Sequence, residues 1–372
     1  MSKSLETSLL KPFPRIGLLA AAIVLVVTAN LMAQSAYQVG NLVSDVPGLA
    51  QITDPQLQNP WGMSLSATSP FWIADNASGL ATLYTGDVGG SPITKVPLVL
   101  TIPHPPGFLR GTPTGTVFNS TTDFVFSDRS GPGPAQFIFA ALDGTISAWK
   151  SGTSAVIVAE TVFGVYGLAI GGNDSGNFLY AANAVAGTIE VFDGNFNRVM
   201  LDGGFVDPDL PAGFRPFNIQ NLNGELYVAY RNRSDPEHGG VVDVFDPSGN
   251  FTRRISSGAS LNAPWGLALA PGDFGDFSGA LLVGNFGLDD GRINAFDPAT
   301  GDYLGHLNGP DGNPLALERL WTLAFGNGGS GGDTNVLYFT AGINREQDGL
   351  FGRISVSSGA GRSRLSQGAA RK

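Results

Sequence analysis

The sequence predicts an all-β fold, a six-bladed β-propeller with four-stranded blades. Three observations lead there. A Pro- or aromatic-led segment recurs six times, and the third residue of each copy (Gly62, Gly115, Gly167, Asn218, Gly266 and Thr322) follows the previous one after 48 to 56 residues. The 52 Gly and 24 Pro of this 372-residue chain separate short runs rich in Val, Ile, Phe and Tyr, without a G-X-Y period. Beyond the N-terminal stretch, no three-turn amphipathic helix can be traced.

Each blade can be read in order. The inner strands open as Pro60-Trp61-Gly62, Pro113-Thr114-Gly115, Val165-Tyr166-Gly167, Pro216-Phe217-Asn218, Pro264-Trp265-Gly266 and Leu320-Trp321-Thr322. Second strands are expected over 71–76, 124–128, 178–183, 226–232, 281–285 and 337–342, most of them ending in Asp or Asn. Third strands follow a Gly or polar turn over 81–85, 144–149, 187–192, 240–245, 291–296 and 349–356. Weaker outer strands fall at 98–102, 155–159, 198–201, 251–255 and 303–307. The sixth blade lacks its own outer strand, and 37–43 is a strand without a blade. That strand is therefore expected to complete blade six, closing the ring without an open edge. The Pro-rich stretch 102–111 is expected to be an inserted loop.

The two ends read differently. Lys3, Lys11 and Arg15, against one Glu6, precede a fourteen-residue apolar run, Ile16 to Ala29. A membrane span needs roughly twenty residues, so the run has the length of a signal-peptide core, with cleavage expected near Ala33. An uncleaved signal anchor is the alternative. Either way the body, 37–356, is expected to be exported: periplasmic, cell-surface or secreted. Residues 357–372 are Gly, Ser, Ala and Arg with little else, and read as a disordered basic tail.

Composition excludes several chemistries. The chain has no cysteine, hence no disulfides, thiolate metal sites or thiol nucleophiles. Its net charge of −10 argues against nucleic acid as a partner. Its three histidines, His104, His238 and His306, fall in different blades, against a histidine zinc site. No P-loop is present.

Topology places a candidate rim where inner strands begin and second strands end. It collects Asn59, Asp75, Asn76, Arg110, Asp128, Arg129, Asn183, Arg215, Arg231, Asn232, Asn285 and Arg319. Arginines there suit bidentate capture of carboxylates or sugar acids. Asn and Asp at strand ends also suit plain turn capping. Trp61, Trp265 and Trp321 share one blade position, for blade-to-blade packing or for sugar stacking.

Trp61-Gly62-Met63, Tyr166-Gly167-Leu168-Ala169 and Trp265-Gly266-Leu267-Ala268 resemble the opening of NHL-type propeller blades. Phe178 to Asn183, followed by Gly187-Thr188-Ile189-Glu190-Val191-Phe192-Asp193, resembles their core. From Tyr37-Gln38-Val39 to Gly352-Arg353-Ile354 the chain is similar to a family of exported bacterial propeller proteins of the NHL-like, TolB-like kind. The resemblance implies the fold and no particular activity. Some members of that family end in a PEP-type sorting signal, which this tail lacks.

The reading is a monomeric binding or scaffold module, preferred to an enzyme. It would present its Arg/Asn/Asp rim to a carbohydrate, peptide or protein of the envelope or exterior. The alternative is a calcium-dependent, lactonase-like hydrolase or lyase, with Asp75, Asp128 and Asp289 as oxygen ligands.

Overall fold

The computed structural model describes residues 35–357, apart from 236–237, 259 and 288–290. The expected signal segment and, beyond Ser357, the expected basic tail lie outside these residues, as does Asp289. Six separate antiparallel sheets form the six blades. Among the described residues helix is confined to single turns at Gly275–Phe277 and Ile343–Glu346. No helix among the described residues is long and apolar enough to cross a membrane.

The blades run from inner to outer strand. Blade one is Pro60–Ser64, Phe71–Asp75, Leu80–Thr85 and Thr94–Thr101. Blade three is Val165–Asn173, Gly176–Asn183, Thr188–Asp193 and Arg198–Val199. Blade four is Phe214–Leu222, Glu225–Asn232, Val241–Phe245 and Phe251–Ser257. Blade five is Pro264–Leu269, Leu281–Asn285, Ile293–Phe296 and Tyr303–His306. Blade six is Leu320–Phe325, Leu337–Ala341 and Leu350–Val356, completed by Tyr37–Ser44. That closure pairs Tyr37 with Val356 and Ser44 with Leu350, as the sequence predicts.

Blade two corrects one expectation. Its strands are Pro113–Phe118, Phe137–Ala141, Thr145–Trp149 and Val156–Glu160. The expected second strand at 124–128 instead forms a separate hairpin, Val125–Asp128 with Gly131–Pro134. Phe124 beneath this hairpin is fully buried, and its N–H donates to the Gly194 carbonyl of blade three. The hairpin is thus an insertion packed on the neighbouring blade.

All six inner strands carry one extra residue against their second strand. The register slips between Pro60 and Met63, between Pro113 and Thr116, between Val165 and Gly167, between Pro216 and Asn218, between Pro264 and Gly266, and between Leu320 and Leu323. A β-bulge re-aims a side chain. Here it falls on Trp61, Thr114, Tyr166, Phe217, Trp265 and Trp321, or on the residue just after. Inner strands also pack closely. A Cβ on Gly115 would lie 2.6 Å from the Leu168 nitrogen, and one on Gly167 would lie 2.0 Å from Asn218 Oδ1. Blade-to-blade bonds join the same ring: Thr114 Oγ1 donates to the Val165 carbonyl (3.0 Å), Asn218 Nδ2 to Trp265 (2.7 Å) and Thr322 Oγ1 to Trp61 (2.7 Å).

Candidate functional site

The bulged aromatics close one end of the channel. Trp61, Phe217, Trp265 and Trp321 form a buried cluster with Phe286, and Tyr166 packs against it. Trp61 and Trp321 stack at 3.7 Å between centroids, and Phe286 lies 4.2 Å from Trp321. Trp321 Nε1 donates to Asn59 Oδ1 at 3.3 Å. This plug sits on the face where inner strands begin, so the expected rim surrounds a closed end. Trp61, Trp265 and Trp321 are at most 5% exposed, which favours packing over sugar stacking.

The rim residues divide by role. Asn76 Nδ2 donates to the Pro113 carbonyl (3.1 Å) and joins blades one and two. Asn183 Oδ1 accepts the Val185 and Ala186 N–H groups (3.1 and 2.9 Å). Asn232 Oδ1 accepts the Ser234 N–H (2.9 Å), and Asn285 Oδ1 that of Asn262 (2.8 Å). These four act as turn caps and blade staples. Arg110 is exposed in the 102–111 loop. Arg319 is largely buried, its guanidinium 4.5 Å above the Phe286 ring. Arg215 and Arg231 face each other across the first two strands of blade four.

Asp128 and Arg129 are not on this rim. They lie in the blade-two insertion, between the end of an inner strand and the start of a second strand, on the opposite face. Hydrogen bonds from Ser130 hold the Asp128 carboxyl down to about 2, with Lys150 3.3 Å away. Asp75 is fully buried at the plugged end, and neither carboxylate oxygen has a hydrogen-bond partner. The proposed calcium ligands Asp75 and Asp128 therefore do not converge. Among the described residues no three His, Asp or Glu side chains are grouped for a metal.

The open end of the channel is the other face. A cavity of about 460 Å³ lies there, floored by Trp265. Its polar lining is Ser64, Ser66, Thr116, Asn218, Gln220, Asn221, Thr322 and Asn327; Gly62, Gly115, Ala169 and Ala324 leave the space. The lining has no ionisable side chain. Ser64 Oγ and Thr116 Oγ1 are hydrogen-bonded at 3.1 Å, and the buried Trp265 Nε1 has no partner. The rim reading missed this group. Its signal is nevertheless in the sequence: the anchor residue and the one two positions on are small or uncharged polar in every blade but the second, where Val117 stands.

A comparison with known proteins places the chain. Uncharacterized protein R648 of Acanthamoeba polyphaga mimivirus is 32% identical over 87% of this chain and 81% of its own length. Uncharacterized protein L690 of the same virus is 30% identical, over 87% of this chain and 86% of its own. The chain belongs to the family of these two proteins. These family members are viral, so the bacterial side of the resemblance finds no support in them. No family model matches the chain. A structural-genomics protein of unknown function from Bacteroides thetaiotaomicron shares the fold, with a TM-score of 0.52 at 12% identity over 87% of this chain and 77% of that one.

Two buried carboxyls give the propeller a pH dependence. Burial raises Asp75 well above the usual carboxylate range and Asp243 to about 7, even with Arg254 Nε 2.9 Å from Asp243. A raised folded-state pKa means that the native state binds more protons than the unfolded chain above about pH 4. Stability from these groups is therefore present at low pH and is lost as pH rises through about 7 for Asp243. Carboxyls that are lowered, such as Asp128, Asp297 and Asp311, titrate below this window. The melting temperature should fall from pH 5 to pH 8, and Asp75→Asn should flatten the slope and raise the pH 8 value. A flat wild-type profile, or an Asn variant less stable at pH 8, contradicts this.

Proposed function

We propose that the protein is a binding module, not a hydrolase, and that its axial cavity takes an uncharged polar ligand of the neutral saccharide class. One observation supports the reading above others: the 460 Å³ cavity sets hydroxyls, side-chain amides and an indole floor among apolar side chains such as Leu65, Leu168, Ile170 and Phe325, with no carboxylate, imidazole or amine. Hydroxyls and amides match the alternating donors and acceptors of a sugar, and an aromatic floor suits its apolar face. General acid–base chemistry needs a titratable group within hydrogen-bond reach, and the lining supplies none. The calcium-dependent alternative is disfavoured because Asp75 and Asp128 lie on opposite faces.

The experiment is a neutral-oligosaccharide screen, with affinities then measured by calorimetry on wild type and Ser64→Phe. The Phe ring would occupy the cavity beside Thr116. The variant should keep the wild-type melting profile and lose at least about tenfold in affinity. Absence of any saturable saccharide, or equal binding by both proteins, sinks the reading.

Export belongs to the same proposal. Lys3, Lys11 and Arg15 ahead of the apolar run 16–29 support it. Protein recovered from its host should begin near Gln34 or, as an anchored form, be cleaved by protease added to intact cells. A Met1 start with full protection excludes export.

A further inference from the structure

The plugged face holds a second site. Arg215 and Arg231 are direct cross-strand partners on blade four. Like charges placed directly opposite each other destabilise a sheet. In a chain of net charge −10 a carboxylate would be expected between them. Among the described residues neither arginine has one: no ion pair or hydrogen bond joins either guanidinium to another group. Two described acidic side chains on this face, Asp235 and Glu318, are already engaged. Asp235 is 2.7 Å from His238 Nδ1, and Glu318 accepts the Asn344 and Arg345 N–H groups.

Both guanidiniums are nevertheless held in place. Arg231 lies over the Tyr166 and Phe217 rings, 4.7 and 4.1 Å from their centroids. Arg215 runs along the backbone at Gly187, where a Cβ would meet its Nη1 at 2.9 Å, and its buried Nε has no acceptor. Stacking uses the faces of a guanidinium and leaves its edge donors free. Two preplaced planar forks with unused N–H groups are the donor set for an oxyanion.

We infer that Arg215 and Arg231 form an oxyanion site on the plugged face, binding a carboxylate or phosphate group of a ligand in place of an internal counter-ion. The site is independent of the neutral-ligand cavity, which opens on the other face.

The test is thermal melting of the full chain with inorganic phosphate, with tri-galacturonate, and with sodium chloride at matched ionic strength. Anion bound only by the native state raises the melting temperature saturably. At least one of the two probes should do so while chloride does not. The probe that acts identifies the group as phosphate or carboxylate, and action by both marks their shared geometry. Arg215→Gln and Arg231→Gln should each abolish the shift. Arg215→Gln should melt no lower than wild type without anion, because it removes a repulsion and breaks no bond. Arg215→Lys, which keeps the charge without the fork, should weaken binding about tenfold. Ser64→Phe should leave the response intact. No shift with either probe, a shift matched by chloride, or one that survives both Gln variants overturns the site.

Discussion

Tyr37→Ala should lower stability by about 3–5 kcal/mol, the cost of truncating a large aromatic in a packed core. Tyr37 is the first residue of the strand that closes the ring, and it is fully buried. Its ring lies 5.1 Å from Phe274 and 5.9 Å from Phe277, both in blade five. Its N–H donates to the Asn308 carbonyl (2.8 Å) and its hydroxyl to Phe274 (3.1 Å). One residue thus joins the closing strand of blade six to blade five. Burial raises its phenol to about 12, so it stays a neutral donor at ordinary pH. Tyr37→Phe keeps the ring and should cost only about 1 kcal/mol. Denaturant midpoints measure both. A Tyr37→Ala loss no larger than that of Tyr37→Phe would mean that the closure contributes little. Deleting 1–44 tests the same idea more severely. It exposes the Leu350–Val356 edge and should leave no cooperative unfolding transition.

The closure was legible because a strand without a blade and a blade without a strand can be matched by counting. Inner-strand positions were legible because Gly at the anchor recurs wherever blades approach closely. Blade two was misread because Phe124-Val125-Phe126 and Phe137-Ile138-Phe139 are equally apolar. The repeat interval is measured between inner strands and does not say which of the two follows the first. The open cavity was missed for another reason. Simple alternation does not reveal that each inner strand carries a bulge, and the bulge turns the aromatic before the anchor into the channel. That extra residue plugs the end where the polar strand termini gather. The open end falls to the anchor and the second residue beyond it, whose small and uncharged side chains look like packing until the ring is assembled. Arg215 and Arg231 were legible as rim cations. Their lack of an internal counter-ion among the described residues appears only in three dimensions.

Trp321→Ala should be comparably destabilising, again about 3–5 kcal/mol, and should also open the channel. The indole is 1% exposed and contacts four other rings: Trp61 at 3.7 Å, Phe286 at 4.2 Å, Trp265 at 5.6 Å and Phe217 at 5.9 Å. Aromatic pairs of this kind each add about 0.5–1.5 kcal/mol beyond the area they bury. Opposing this, the void left by the indole adjoins the axial cavity and can fill with water, because Trp61 Nε1, Trp265 Nε1 and Asn59 Oδ1 would be available to bond it. The first effect should win, since lost ring contacts outnumber the bonds that water can restore. Acrylamide quenching separates the two consequences. Trp61 and Trp265, at 5% and 3% exposure, should be shielded in the wild type and accessible in the variant. A large stability loss with unchanged quenching would mean that the remaining rings collapse into the gap. Accessible indoles with little stability loss would make the plug a removable gate between the neutral cavity and the arginine face, coupling two sites that the wild-type plug holds apart.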